Sequence, residues 1–175
     1  MKPQRVMIIG YSGSGKSTLA GICAAQYGLP VLYLDTLQFL PGWVVRDREE
    51  FRGLLAEFLK QDRWVIDGTY SRFFYEERME RADRIYFLDF NRFSCLFRAW
   101  KRYLTYRGKR RESMAEGCNE KLDWAFIRWI LWDTRTKAQR RKFLQAAERY
   151  PEKVTVLRNQ RQLTREIRKI HENVS

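Results

Sequence analysis

The sequence predicts an α/β fold built on a mainly parallel sheet, on the strength of three observations. Short, wholly apolar runs recur along the chain, separated by segments with helical periodicity. The first run, Val6-Met7-Ile8-Ile9, breaks directly into a glycine-rich turn. Three of the runs close on an aspartate: Asp35, Asp67 and Asp89.

Residues 6–9 carry no polar side chain, the pattern of a strand buried on both faces. Residues 17–27 have a helical pattern that ends near Gly28 and Pro30, both stop signals. A second strand is expected over 31–34 and a loop around Pro41-Gly42 over 37–45. Residues 46–60 predict an amphipathic helix with Phe51, Leu54, Leu55, Phe58 and Leu59 on one face. A third strand over 64–66 runs into Asp67-Gly68, followed by a short charged helix over 75–82 and a fourth strand over 85–88. Beyond these come a helix over 91–106, a loop over 107–118 and one long helical stretch over 123–150. A last strand at 154–157 and a helix over 160–171 close the chain. There is no repeat, low-complexity tract or linker, so residues 1–175 are expected to form one domain.

A chain of 175 residues can bury a core without disulfides or a structural metal. With 45% hydrophobic and 31% charged residues it is globular, not disordered. Aromatic residues reach 15%, with six Trp, so either some line a ligand or all fill the core. The net charge of +13 suits a polyphosphate, a nucleic acid or an anionic surface as partner. Cys23, Cys95 and Cys118 are too scattered for a disulfide framework or a zinc cluster, so a reducing, cytoplasmic compartment is expected. No leader is expected, because the apolar run near the N-terminus is short and leads straight into the glycine turn. Residues 124–132, interrupted by Arg128, are too short to span a bilayer, and no membrane partner is expected. His171 is far from any motif and is expected at the surface.

The glycine turn is Gly10-Tyr11-Ser12-Gly13-Ser14-Gly15-Lys16-Ser17: a glycine, four free positions, then Gly-Lys-Ser. Glycines let successive backbone N–H groups point inward at phosphate oxygens, and the following helix adds its positive N-terminal end. Lys16 is expected to reach the β- and γ-phosphates of ATP, and the Ser17 hydroxyl to ligate Mg2+. Gly10, Ser12, Gly13, Ser14, Gly15, Lys16, Ser17 and Thr18 are the candidate nucleotide contacts.

Ligands of open α/β sheets sit beyond the carboxyl ends of the strands, where Asp35, Asp67 and Asp89 fall. Asp67, after three apolar residues and before Gly68, is the candidate Mg2+ partner; the other reading is a turn starter. Asp35 is the candidate base for a phosphoryl acceptor, with Phe39 and Trp43 beside it, against a plain capping role. Asp89 is as well explained by capping the helix near Asn91.

Residues 91–113 hold eight Lys and Arg against one acid, Glu112. Arg98 and Arg102 stand one helical turn apart, Arg107, Lys109, Arg110 and Arg111 crowd the next loop, and Phe93, Phe97, Trp100, Tyr103 and Tyr106 interleave. Three readings are open: a lid that folds arginines over a triphosphate, a nucleic-acid surface with stacking aromatics, and a solvated basic face. The phosphate loop upstream favours the lid.

Several stretches together resemble the bacterial DNA topology modulation protein family. They are residues 8–17, Leu34-Asp35-Thr36, Pro41-Gly42-Trp43, Trp64-Val65-Ile66-Asp67-Gly68, Phe87-Leu88-Asp89-Phe90-Asn91-Arg92 and Lys101-Arg102-Tyr103-Leu104-Thr105-Tyr106-Arg107-Gly108-Lys109. That family is similar to adenylate kinase and other small P-loop kinases. The resemblance implies a P-loop NTPase fold: a five-stranded parallel sheet flanked by helices, an acceptor-binding region at about 36–62 and an inserted basic lid at about 98–135. Arg98 and Arg102 match the spacing of two lid-base arginines that contact ATP, and Arg135 loosely resembles a later one. Asp67-Gly68 resembles the Asp-Gly of adenylate kinases, but the Pro-Arg that follows there is missing, and Arg72 comes one residue late. Asp35-Thr36 is nearer to nucleoside and shikimate kinases, where an acid faces the acceptor hydroxyl. The resemblance thus implies an Mg-ATP-dependent kinase with Lys16, Asp35, Arg98, Arg102 and Arg135 as catalytic candidates. Asp35, Phe39, Trp43 and Arg72 then face a nucleoside, nucleotide or small hydroxyl metabolite. The alternative is a DNA-binding protein that uses ATP as a switch, which the charge permits.

Overall fold

In the computed structural model the described residues are 2–106, 113–118, 120 and 122–172. The strands are β1 (Arg5–Gly10), β2 (Val31–Tyr33), β3 (Phe39–Leu40), β4 (Val44–Val45), β5 (Trp64–Asp67), β6 (Arg84–Leu88) and β7 (Val154–Leu157). The helices are α1 (Lys16–Tyr27), α2 (Leu34–Gln38), α3 (Arg48–Leu59), α4 (Tyr75–Arg81), α5 (Arg92–Tyr106), α6 (Trp124–Arg128), α7 (Lys137–Arg149) and α8 (Gln160–Glu172). Five strands form one parallel sheet in the order β2-β5-β1-β6-β7. The chain leaves β1 for β2 and β5 on one side, then crosses to β6 and β7 on the other. The carboxyl end of β1 is therefore the switch point at which such sheets bind ligands.

The apolar runs make the sheet, as their composition demands. Val6, Met7, Ile8 and Ile9 are fully buried, as are Trp64, Val65, Ile66, Ile85 and Leu88. A strand covered by helices on both faces cannot alternate polar and apolar positions. On one flank α7 sets Phe143 against Phe87, ring centroids 4.6 Å apart, and edge-on to Tyr11 at 5.4 Å. This contact clamps the start of the glycine loop to the sheet.

Two expectations need correction. The loop over 37–45 is organised: α2 leads into an antiparallel hairpin of β3 and β4, closed by a 3-10 turn at Pro41–Trp43. Two-residue strands are too short to show alternation in a sequence. The long helical stretch over 123–150 is broken: a π-helical turn, Trp129–Asp133, follows α6, and α7 begins afresh behind Thr136. The Thr136 hydroxyl accepts from Gln139 N at 3.1 Å, so Thr-x-x-Gln acts as a helix start inside what looks like one helix.

Phe87 touches the loop clamp and the sheet at once. Phe87→Ala should lower stability by about 3–5 kcal/mol, the usual cost of emptying an aromatic core position. Equilibrium urea unfolding measures it, and a loss under about 1 kcal/mol would mean that the site collapses around the cavity.

Candidate active site

The loop between β1 and α1 folds tightly because its glycines have no side chain. At Gly13 (φ 78°) a Cβ would lie 2.4 Å from the Cys95 carbonyl oxygen. The first turn of α5 therefore rests directly on the loop. At Gly15 (φ 98°) a Cβ would lie 2.3 Å from a terminal nitrogen of Arg98. Across the loop, three donors converge on the Tyr11 carbonyl: Ser14 N at 3.2 Å, the buried Ser14 hydroxyl at 2.7 Å and Lys16 Nζ at 3.0 Å. Ser12 and Ser17 are half-buried and Thr18 is exposed.

Two of the three candidate lid arginines lie against this loop. Arg98 stacks over Phe90 at 4.9 Å and donates to Gln160, and burial pulls its pKa below the usual guanidinium range. Arg135 lies 3.6 Å over the Tyr11 ring and donates to the Phe90 carbonyl at 2.7 Å and to Cys95 Sγ at 3.2 Å. Arg102 does not join them: its Nε donates to Glu120 at 3.0 Å. It shares a helix face with Arg98 but sits about 6 Å further along the axis, one turn beyond the loop. Arg107, Lys109, Arg110 and Arg111 fall outside the described residues.

The carboxylates line the same edge of the sheet. Asp67 ends β5, buried beside Ile8 on one side and Tyr33 on the other. Among the described residues no group of three or more His, Cys, Asp or Glu could hold a metal ion. A single hydroxyl at Ser17 and a single carboxylate at Asp67 nevertheless fit Mg2+, which takes few protein ligands and completes its shell with phosphate oxygens and water. Asp35 lies in the first turn of α2, exposed, and its Oδ1 accepts from the Tyr70 hydroxyl at 2.7 Å. Asp89 does not cap α5; Asn91 does, accepting from Ser94 N at 2.8 Å. Burial pushes the Asp89 carboxyl up, against the pull of Arg140, Arg158 and Arg135.

Sequence reasoning missed the residues that join these pieces. Arg78 is fully buried and donates to three successive carbonyls: Gly68 at 3.2 Å, Thr69 at 2.8 Å and Tyr70 at 3.1 Å. Burial lowers its pKa to about 10, with the nearby Tyr75 acting in the opposite direction, so the group is still charged at neutral pH. The segment that it holds is bent: Gly68 has φ 129° and Tyr70 has φ 32°, a left-handed conformation unusual for a tyrosine. From it Tyr70 reaches Asp35, and the Thr69 hydroxyl accepts from Gly10 N at 3.4 Å. One signal was available. Position 78 shares the face of Tyr75, Met79 and Ala82 on a helix that is otherwise charged.

The candidate acceptor residues divide. Phe39 and Trp43 pack edge to face at 5.2 Å beneath Met114, Ala115 and Cys118. Gly42 N donates to the Gly117 carbonyl at 3.3 Å, and Cys118 Sγ to the Leu40 carbonyl at 3.3 Å. Part of the segment expected to be the lid is therefore seated on the hairpin. Arg72 lines a cavity of about 290 Å³ with Arg48, Glu49, Arg52, Phe73 and Phe74, a set that includes none of Asp35, Phe39 and Trp43.

Arg78→Met would leave three carbonyls without their donor, so a loss of about 3 kcal/mol or more is expected in urea unfolding. Amide exchange at residues 68–70 should rise in parallel. A variant as stable as the parent would show that the guanidinium is not what ties this turn.

No family model and no curated protein matches the sequence, so the likeness to DNA topology modulation proteins gains no support from either comparison. Solved structures do match. A shikimate kinase from Acinetobacter baumannii, in complex with shikimate, superposes with a TM-score of 0.53 at 14% identity, over 98% of this chain and 92% of that one. A gluconokinase from Sinorhizobium meliloti 1021 gives 0.52 at 18% identity, over 98% and 95%. At these identities the likeness is one of fold alone: the five-stranded parallel sheet flanked by helices is shared with these two kinases.

Proposed function

We propose that the protein is a P-loop phosphotransferase that moves the γ-phosphoryl group of Mg-ATP to a hydroxyl of a small acceptor. The observation that carries this reading is the pairing, on one sheet edge, of the glycine loop with an exposed carboxylate, Asp35, that is oriented by Tyr70. A nucleotide switch needs the loop but has no use for an oriented, exposed carboxylate beside it. The kinases similar in fold support the same direction.

In this mechanism the loop amides and Lys16 hold the β- and γ-phosphates, while Arg98 and Arg135 neutralise charge from the side of α5. Ser17 and Asp67 would hold Mg2+, which would supply further neutralisation of charge on the phosphates. Tyr70 occupies Oδ1 of Asp35, which leaves Oδ2 for the acceptor hydroxyl. The acceptor oxygen forms a bond to the γ-phosphorus, its proton passes to Asp35, and the bond from that phosphorus to the β–γ bridging oxygen breaks. The electron pair leaves with ADP. Phe39 and Trp43, under the seated lid segment, exclude water from the transfer. The acceptor class is a nucleoside, a nucleotide or a hydroxyl metabolite. DNA binding with ATP as a switch rests on the net charge, on the basic, aromatic-rich segment 91–113 and on the resemblance to DNA topology modulation proteins, and gains no support from the comparisons.

A transfer screen with γ-labelled ATP over nucleosides, nucleotides and small hydroxyl compounds tests the reading; label that reaches only water throughout would overturn it. Lys16→Ala should weaken ATP binding at least about tenfold, because a contact between charged groups is lost. Asp35→Asn should keep ATP affinity and lose about 10²–10⁴ in transfer rate. Tyr70→Phe should fall between Asp35→Asn and the parent, with the loss in kcat and not in the KM for ATP. Undiminished transfer by Asp35→Asn would remove Asp35 from the role of base.

A further inference from the structure

Between α4 and α7 lies a cavity that the phosphotransfer site does not use. Its volume is about 580 Å³, twice that of the one beside Arg72 and within the usual range of small-molecule sites. Ser71, Tyr75 and Met79 line it from the side of α4, and Lys142, Ala146 and Tyr150 from the side of α7. Positions 75 and 79 share one face of α4, and 142 and 146 share one face of α7. Met79 and Ala146 are buried and form the floor, while Lys142 is exposed at the rim. Polar bridges span the gap at both ends. At one, Lys142 Nζ reaches Ser71 Oγ at 3.4 Å; at the other, Arg149 donates to Glu76 at 3.0 Å and to Glu80 at 3.3 Å. None of the six lining residues belongs to the phosphate loop, to α5 or to the strand-end carboxylates.

Two features of this cavity are unexplained by packing. The hydroxyl oxygens of Tyr75 and Tyr150 are shielded from solvent and have no hydrogen-bond partner among the described residues. A buried hydroxyl left unpaired is a cost to the protein alone. Burial pushes the Tyr75 hydroxyl up to about 12, so it keeps its proton and can both donate and accept. Lys142 is the second feature. Its contact is the Ser71 hydroxyl, at the long end of the hydrogen-bond range, and it meets no carboxylate among the described residues. The acids that also line the cavity are engaged or distant: Glu76 is paired with Arg149, and Glu148 stands about 9 Å further along α7 than Lys142. A thioether and a methyl group below, two neutral hydroxyls without partners and one ammonium at the rim specify a ligand. It is flat, it carries polar atoms in its ring, and it is negatively charged at one end.

We propose that the cavity between α4 and α7 binds a small heteroaromatic anion: its ring lies over Met79 and Ala146, its polar ring atoms pair with the Tyr75 and Tyr150 hydroxyls, and its anionic group meets Lys142. The proposal stands apart from the phosphotransfer reading and needs no acceptor.

The test follows the methionine methyl resonances of the isotope-labelled full chain by NMR. Met79 lines the cavity, whereas Met7 in β1 and Met114 at the hairpin do not and serve as controls. Three probes are titrated: nicotinate, with ring nitrogen and carboxylate; nicotinamide, with the same ring and no charge; and benzoate, with the charge and no ring nitrogen. Nicotinate should shift the Met79 signal saturably and leave Met7 and Met114 in place. Nicotinamide and benzoate should each bind at least about threefold more weakly, since each lacks one polar contact. Lys142→Gln should bring nicotinate down to the affinity of nicotinamide. Tyr150→Phe should weaken nicotinate while the urea midpoint stays level or rises, because it removes an unpaired hydroxyl. If Tyr150→Phe does not fold, Tyr75→Phe is read in the same way. No saturable Met79 shift with nicotinate overturns the proposal, and so does equal affinity for all three probes or for nicotinate with and without Lys142. A fall in urea midpoint with unchanged nicotinate affinity in the phenylalanine variant also overturns it, since the hydroxyl is then purely structural.

Discussion

Position 13 and the Cys95 carbonyl lie so close that no side chain fits between them. That approach couples the phosphate loop to α5 more directly than any side-chain contact would. With the first turn of α5 resting on the loop, Arg98 lies against Gly15, over the face of Phe90. The same approach fixes the rotation of the helix. With Cys95 and Ala99 pressed inward, the positions at Phe93, Phe97, Trp100 and Leu104 have no route to the core. The arginine at the loop and the aromatic stripe outside are thus two consequences of one backbone contact.

A second constraint holds the other half of the site. A guanidinium as buried as Arg78 is costly to remove from water and is tolerated only where its donors are used. Here three backbone carbonyls take bonds from its two terminal nitrogens, while Nε has no partner among the described residues, and each is a charge-assisted bond to neutral backbone, not an ion pair. The arrangement stabilises a turn that would otherwise relax, since Tyr70 sits at a positive φ. The turn touches Gly10 through Thr69 and Asp35 through Tyr70. The phosphate loop and the Asp35 carboxylate are therefore registered to each other through this turn, without touching.

The sheet and the loop were legible because each is imposed by local composition. A wholly apolar run before Gly-x-x-x-x-Gly-Lys-Ser leaves one arrangement open, and the strand ends follow. The hairpin at β3 and β4 was not legible, because its strands are too short for periodicity and its order comes from contact with residues 114–118. Arg78 was hidden by its neighbours: within Glu-Glu-Arg-Met-Glu-Arg one arginine looks like any other, and only the tertiary fold decides which turns inward. Arg102 shows the reverse case. Spacing alone pairs it with Arg98, but Glu120, 18 residues downstream, draws it away.

The contrast between those two arginines bears on what α5 is for. Arg102 has its charge matched by Glu120, whose side chain is only 4% exposed, so little of its field is left for a ligand. Arg98 keeps neutral company, an aromatic ring and a glutamine, and among the described residues it has no carboxylate partner. A half-buried guanidinium without a counter-ion is costly for the protein alone and gains most when an anion arrives. Arg135 is held at contact distance by neutral groups too, the Tyr11 ring, a carbonyl and a thiol, but the Asp89 carboxylate offsets part of its charge. The loop thus faces two cations fixed by stacking, of which Arg98 has no carboxylate partner among the described residues, so a polyphosphate meets charges already oriented and loses little side-chain entropy in recruiting them. What the electrostatics leave unmatched in the protein is therefore a negative charge at the carboxyl end of β1, where the glycine loop turns its amides inward.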